Sequence, residues 1–216
     1  MAKSAEKTLK EQNHLLIGCF ILWSCSLYGV FLTAPANLFT QFQTAFATLS
    51  AKDGVFAALS PLLAVMLTGL VSSSNKARLI FWRWRDALPG HRAFSQLVLS
   101  DARLDLNRLR QLVIPWPQTR LDENRVWFAI YKKVAEASTV LQAHKAFLLT
   151  RDIATVACIF AVAGPVALLL SGVDAQRLAL YVLVMFIHYL VFMIVARNHA
   201  NRFVCNVLVE YISSKG

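Results

Sequence analysis

The chain has 216 residues, of which 57% are hydrophobic and 16% charged, with a formal net charge of +10. Soluble domains run at about a quarter charged residues and roughly half apolar ones, so this balance excludes an ordinary soluble domain for the chain as a whole. The apolar residues gather instead into four blocks, each close to the ~20 residues that cross a bilayer core.

A polar tail, Met1 to Asn13, precedes the first expected span, about His14 to Ala34, which Pro35 closes. This block is too long for a signal peptide, and no clean small-residue cleavage site follows it, so it reads as a retained span. In the next loop Leu38, Phe39, Phe42, Phe46 and Leu49 recur at intervals of three and four. That is helical spacing with an apolar stripe, expected to lie in the outer interface or against the bundle. Lys52-Asp53-Gly54 supplies a turn into the second span, about Val55 to Ser72, with Pro61 in its first turns.

A long polar segment follows. In Trp82-Arg83-Trp84-Arg85, aromatic rings stand beside long cations, the composition of an interfacial belt with snorkelling side chains. Leu88-Pro89-Gly90 breaks the helix there. Asp105 can cap a short helix with Leu106, Leu109, Leu112 and Val113 on one face, ending before Pro115-Trp116-Pro117. A further helix is expected at Asp122, with Leu121 and Val126 as its hydrophobic staple. Trp127, Ile130, Tyr131, Val134, Leu141 and Leu148 keep helical spacing with no Gly or Pro between them. The pattern therefore predicts one stiff rod running into the third span, about Ile153 to Leu170, with Gly164-Pro165 bending it midway. The fourth span, about Leu178 to Ala196, leads into an amphipathic stretch carrying Phe203, Val204, Val207, Leu208, Tyr211 and Ile212.

Charge position sets the expected sidedness, because cytoplasmic loops carry an excess of Lys and Arg. Between Asn75 and Arg151 there are 14 Lys/Arg against 6 Asp/Glu, a net of +8, whereas the two short loops hold only Lys52 with Asp53 and Arg177 with Asp174. Both termini and the long segment are therefore expected inside. The expected fold class is all-α: a polytopic membrane protein with four transmembrane helices and a helical cytoplasmic insertion between spans two and three. Its parts are a first hairpin (1–74), a basic domain (75–151), and a second hairpin with a cytoplasmic helix (152–216).

The residues offer little for catalysis. The sequence contains no glycine-rich phosphate loop, GxSxG, HExxH or clustered acidic motif, so no enzyme, cofactor or metal site is expected. Cys19, Cys25, Cys158 and Cys205 show no CxxC spacing and read as small buried hydrophobes. His188 is the ionisable residue well inside a span, where such groups are costly. It is either a pore-lining, proton-sensitive group or a neutral imidazole bonding a neighbouring helix. Arg151 and Asp152, at the mouth of the third span, are candidates for a gate or subunit contact, or for a headgroup anchor with a local ion pair. Lipid or partner contact is expected from Trp82, Arg83, Trp84, Arg85, Arg92, Arg103, Arg108 and Arg110. Aromatic rings beside cations also suit single-stranded nucleic acid, but anionic lipid accounts for the charge without it.

The stretch Leu88-Pro89-Gly90-His91-Arg92-Ala93-Phe94-Ser95, followed by Asp101-Ala102-Arg103-Leu104-Asp105, resembles bacterial membrane proteins with an LPGxRAFS…DPRID segment between two pairs of spans. The resemblance extends to Asn124, Trp127, Tyr131, His144 and Arg151-Asp152; Ala102 and Leu104 depart from it. In layout the chain also resembles membrane components of antiphage defence, such as the four-span subunit of Kiwa systems or the membrane effectors of retron and cyclic-oligonucleotide systems. What this implies is an inner-membrane protein with cytoplasmic termini. It would engage a cytosolic protein partner as anchor or sensor. Independently of the resemblance, four short spans around small residues and the Phe39/Phe42/Phe46 stripe call for a homo-oligomer, with a tetramer the first expectation. A pore-forming effector and a small transporter are the competing classes.

Overall fold

Helix boundaries in this chain follow local chemistry closely. In the computed structural model, which describes residues 11–33 and 62–215, Asp105 accepts hydrogen bonds from the N–H groups of Asn107 (2.8 Å) and Arg108 (3.1 Å). These are orphan donors of a helix start, and the short helix Leu106–Leu112 follows as the sequence implied. The next start differs from the expectation. Thr119, not Asp122, is the cap: its hydroxyl oxygen accepts from the Asp122 N–H at 3.2 Å and donates to the Asp122 carboxylate at 2.6 Å. The helix consequently begins at Arg120 and puts Asp122 in its first turn, where its carboxylate fixes the capping hydroxyl. Thr119→Ala should cost about 1 kcal/mol. Amide exchange at Leu121, Asp122 and Glu123 should then accelerate about fivefold; unchanged rates would show that Thr119 is not the cap.

The principal helices are α1 (His14–Thr33), α2 (Ser73–Phe81), α3 (Leu106–Leu112), α4 (Arg120–Val134), α5 (Ser138–Leu170) and α6 (Ala175–Ser213). Residues 62–70 are also helical, and no strand occurs among the described residues. The Phe39–Phe46 stripe, the Lys52–Gly54 turn and the beginning of the second expected span lie outside the described residues.

One expectation is corrected here. The rod from the 120s into the third span is not continuous: α4 ends at Val134 and α5 begins at Ser138. The Ala137 N–H turns back to the Val134 carbonyl at 3.1 Å, and the Ala137 carbonyl accepts from Val140 and Leu141. Nothing in Ala135-Glu136-Ala137 opposes a helix. Both halves pack on α6, α4 through the Trp127 bond to the Val204 carbonyl and α5 through the Thr139 bond to Glu210 at 2.8 Å, and the break falls between these two attachments. Tertiary contacts override propensity.

Three helices, α1, α5 and α6, are long and apolar enough to cross a membrane. The 20 residues of α1, at 1.5 Å each, give about 30 Å, the thickness of a hydrocarbon core. Their most apolar windows are only 22–44% buried by the chain itself. Leu15, Val162, Val166, Leu170, Leu183 and Ile187 are among the large side chains left exposed. A surface of that kind is stable against lipid and a liability in water, so the protein is membrane-embedded.

The chain divides into two compact units. One combines the described residues up to Ser72 with Arg151–Phe192. Its core is Leu27 and Phe31 of α1, Leu168 of α5, and Tyr181 and Met185 of α6. Phe31 and Tyr28 meet Tyr181 edge-on at 5.4 and 6.2 Å, and Phe20 meets Phe192 at 4.9 Å. The other unit combines Ser73–Thr150 with Met193–Gly216. The end of α6 therefore packs with the basic segment. Trp127 donates its indole N–H to the Val204 carbonyl at 3.3 Å.

Candidate functional site

The segment from Trp82 to Leu97 concentrates the unusual backbone of the chain. Trp82 and Asp86 have φ of 51° and 49°. This left-handed region costs a residue with a side chain about 1–3 kcal/mol. The turn leaves the Trp82 and Trp84 rings 58% and 82% exposed. The Arg197 guanidinium covers the Trp82 ring at 5.3 Å from its centre and donates through Nε to the Ile80 carbonyl. Pro89 then opens a tight turn, as its fixed φ favours, through Arg92. A Cβ on Gly90 would press on the end of the Asn124 side chain and lie 3.0 Å from the Trp127 ring, so glycine suits the close approach to α4.

A π-helical turn, Ala93–Leu97, follows. Its leading Phe94 and Ser95 N–H groups donate to one carboxylate oxygen of Glu123, at 2.8 and 2.9 Å. Glu123 is buried. A buried carboxylate answering two orphan amides is a strong, charge-assisted arrangement. Arg92 is 6% exposed and lies over the Phe81 ring at 5.1 Å. Burial lowers its pKa, and the neighbouring charges of Arg83, Arg120 and Arg197 lower it further against the pull of Glu123.

The residues of the resembling segment thus form a packed set. Trp127 stacks on Tyr131, Phe203 meets both edge-on, and His144 stacks on Phe203 at 4.6 Å. The Tyr131 hydroxyl lies 3.2 Å from His144 Nδ1. Gly90, Asn124, Trp127, Tyr131 and His144 are all within this unit, and their chemistry is that of packing.

The remaining arginines of the expected contact set differ in their surroundings. Arg83 is half-buried, while Arg85 and Arg108 are exposed; Arg110 lies over Trp116 at 5.5 Å. Arg103 forks onto Asp101, Nε to Oδ1 at 3.0 Å and NH2 to Oδ2 at 2.7 Å. These bonds hold the Asp101 carboxyl down at about 2. The pair is therefore intact above the usual carboxylate pKa of about 4 and is lost only as pH falls towards 2. Cys205, close by, is pushed up to about 12, chiefly by burial and then by Asp101, and its thiol is inert as a nucleophile at neutral pH. Beside this pair a cleft of about 360 Å³ lies between α5 and α6, with Arg103, His199 and Arg202 among its cations and Glu210 as its carboxylate.

Within the membrane unit, Arg151 and Asp152 bond each other: Nε and NH2 both lie 3.0 Å from Asp152 Oδ1. His188 has both ring nitrogens engaged. Trp23 donates its indole N–H to Nε2 at 3.3 Å, and Nδ1 donates to the Val184 carbonyl at 2.8 Å. That is the geometry of a neutral imidazole linking α6 to α1.

Sequence reasoning did not single out Glu123, Arg120 or Arg197. Their roles depend on partners 28 or more residues away, and no local spacing signals such a contact. No family model, curated protein or solved structure matches the chain.

Proposed function

We propose that this protein is a membrane anchor and docking platform: a four-span subunit of a bacterial antiphage-defence system. In this reading residues 55–72 are the second of the four spans. Both termini and the Ser73–Thr150 unit lie on the cytoplasmic side of the inner membrane, where the excess of Lys and Arg belongs. Copies of the chain associate, and the basic unit holds a cytosolic protein partner through its exposed arginines. The defence assignment rests on the resemblance in layout.

The observation that favours an anchor over a pore is the state of the polar side chains in the spans. A pore would need them turned towards a shared axis. Ser24, Ser26, Thr68 and Thr155 instead donate to carbonyls one turn back on their own helices, at 2.6–2.9 Å. His188 is committed to Trp23. The large side chains that face outward in these helices, Leu15, Val162, Val166, Leu183 and Ile187 among them, are apolar, which suits an anchor in lipid.

Two measurements test this together. Liposomes carrying the purified protein should release entrapped dye no faster than empty ones, and a protein-dependent leak would establish the pore reading instead. In cells, Arg108→Glu with Arg110→Glu should leave expression and insertion normal but abolish protection in a phage challenge. Retained protection would remove the exposed arginines from partner binding. Reporter fusions at Ser100 and Lys215 should read inside, and those at Asp53 and Asp174 outside.

A further inference from the structure

Arg92 is the least explained charge among the described residues. It is 6% exposed, its Nη1 is wholly buried, and no hydrogen-bond acceptor meets that nitrogen. A buried donor left unmet costs about 1–3 kcal/mol, more when charged. The natural answer would be a carboxylate. The nearest candidate, Glu123, has one oxygen already committed to the Phe94 and Ser95 amides. The groups around Arg92 are instead further cations: Arg92 lies over the Phe81 ring, Arg197 reaches Ile80 and Trp82 beside it, Arg83 follows in the same stretch, and with Arg120 they add to burial in lowering its pKa. Neither Arg83 nor Arg120 has a hydrogen bond or ion pair of its own among the described residues.

The backbone around this cluster carries two more marks of a working site. Trp82 and Asp86 hold strained left-handed conformations, and the π-helical turn begins at the residue after Arg92. Strain and π-turns both gather at functional positions. The cluster also has aromatic company. Trp82 and Trp84 expose most of their rings, the amphipathic surface found at headgroup depth.

We propose that Arg83, Arg92, Arg120 and Arg197 form a site for a phosphate group carried by an anionic lipid headgroup, with Trp82 and Trp84 seated in the same interface. Four guanidinium groups around one phosphate give forked, charge-assisted hydrogen bonds. Because Nη1 of Arg92 is closed off from water, the headgroup reaches this guanidinium by a rotation of its long stem. The occupied site relieves the like-charge crowding that the empty one holds. The inference rests on the anchoring reading for its placement at the inner interface, and deepens it by naming the lipid chemistry the platform recognises.

The experiment uses the full chain in nanodiscs of phosphatidylcholine, alone or mixed with phosphatidylglycerol, with lipid occupancy read by native mass spectrometry. The unmodified chain should retain phosphatidylglycerol saturably and in preference to phosphatidylcholine. Arg120→Gln, at an exposed position that carries no folding contact, should weaken that binding about fivefold. Arg92→Gln should weaken it further. Arg125→Gln, exposed on the same helix but not among the charges acting on Arg92, should leave it unchanged and serves as the control. Equal weakening by Arg125→Gln and Arg120→Gln would reduce the effect to general surface charge and overturn the site. Competition by inorganic phosphate without any preference for phosphatidylglycerol would transfer the site to a soluble phosphate and overturn the lipid assignment. A Ser100 reporter reading outside would defeat the anchoring scheme separately, while the arginine dependence in nanodiscs would still be measurable.

Discussion

Glu123→Ala is expected to destabilise strongly the unit formed by Ser73–Thr150 and Met193–Gly216. The carboxylate accepts both leading N–H groups of the π-helical turn, and without it two amides lose their acceptor at about 1–3 kcal/mol each. Its charge also acts on Arg92 from a distance, raising the pKa of that guanidinium against the neighbouring cations. The two amides together make a loss of several kcal/mol the reasonable expectation, against a domain stability of about 5–15 kcal/mol. Limited proteolysis should cut the variant between Leu88 and Ala102 under conditions that leave the unmodified chain whole. Glu123→Gln keeps an oxygen for the amides but no charge, and should retain the fold with faster amide exchange at Phe94 and Ser95. A Glu123→Ala variant as resistant as the unmodified chain would mean the turn is held by something other than this carboxylate.

That prediction could not have been written from the sequence. Glu123 read as one of several acidic residues near a helix start, because its contribution depends on amides of residues 94 and 95 folding back onto α4. What the sequence did carry was whatever depends on neighbours within a turn or two. The Asp105 cap and the apolar lengths of α1, α5 and α6 all follow from local rules. The failures lie where packing outweighs local preference. Ala135-Glu136-Ala137 contains only residues that tolerate a helix, yet the helix stops there, between the separate attachments of α4 and α5 to α6. His188 was recognisable as a costly intramembrane group, but its partner Trp23 is 165 residues away. The resembling segment was legible as a signature and silent about its meaning. Gly90, Asn124 and Trp127 go together because glycine suits the place where α4 comes closest.

Gly164 poses the same question inside the membrane unit, and its substitution should have the opposite sign from the usual rule. A glycine within a helix costs roughly 1 kcal/mol relative to alanine, so Gly164→Ala in the middle of α5 would ordinarily stabilise. Here an added Cβ would fall 2.1 Å from the Tyr181 hydroxyl and 2.6 Å from two ring carbons. The ring has no room to retreat: it is fully buried, flanked by Phe31 and Tyr28, and its hydroxyl donates to the Phe160 carbonyl at 3.3 Å. Overpacking of this kind costs about 1–3 kcal/mol, and loss of the hydroxyl bond adds about 1 kcal/mol. Gly164→Ala should therefore destabilise by about 1–3 kcal/mol after its gain in helix propensity, and Gly164→Val by more. Unfolding by detergent titration of the micelle-bound protein gives the measurement. The decisive comparison is a Tyr181→Leu background, in which the ring is gone and the alanine has space. There the penalty should shrink or reverse, with a coupling of about 1–3 kcal/mol between the two sites. Additive effects would mean that Gly164 and Tyr181 are not held in contact, and that α5 and α6 do not pack in the membrane through this pair.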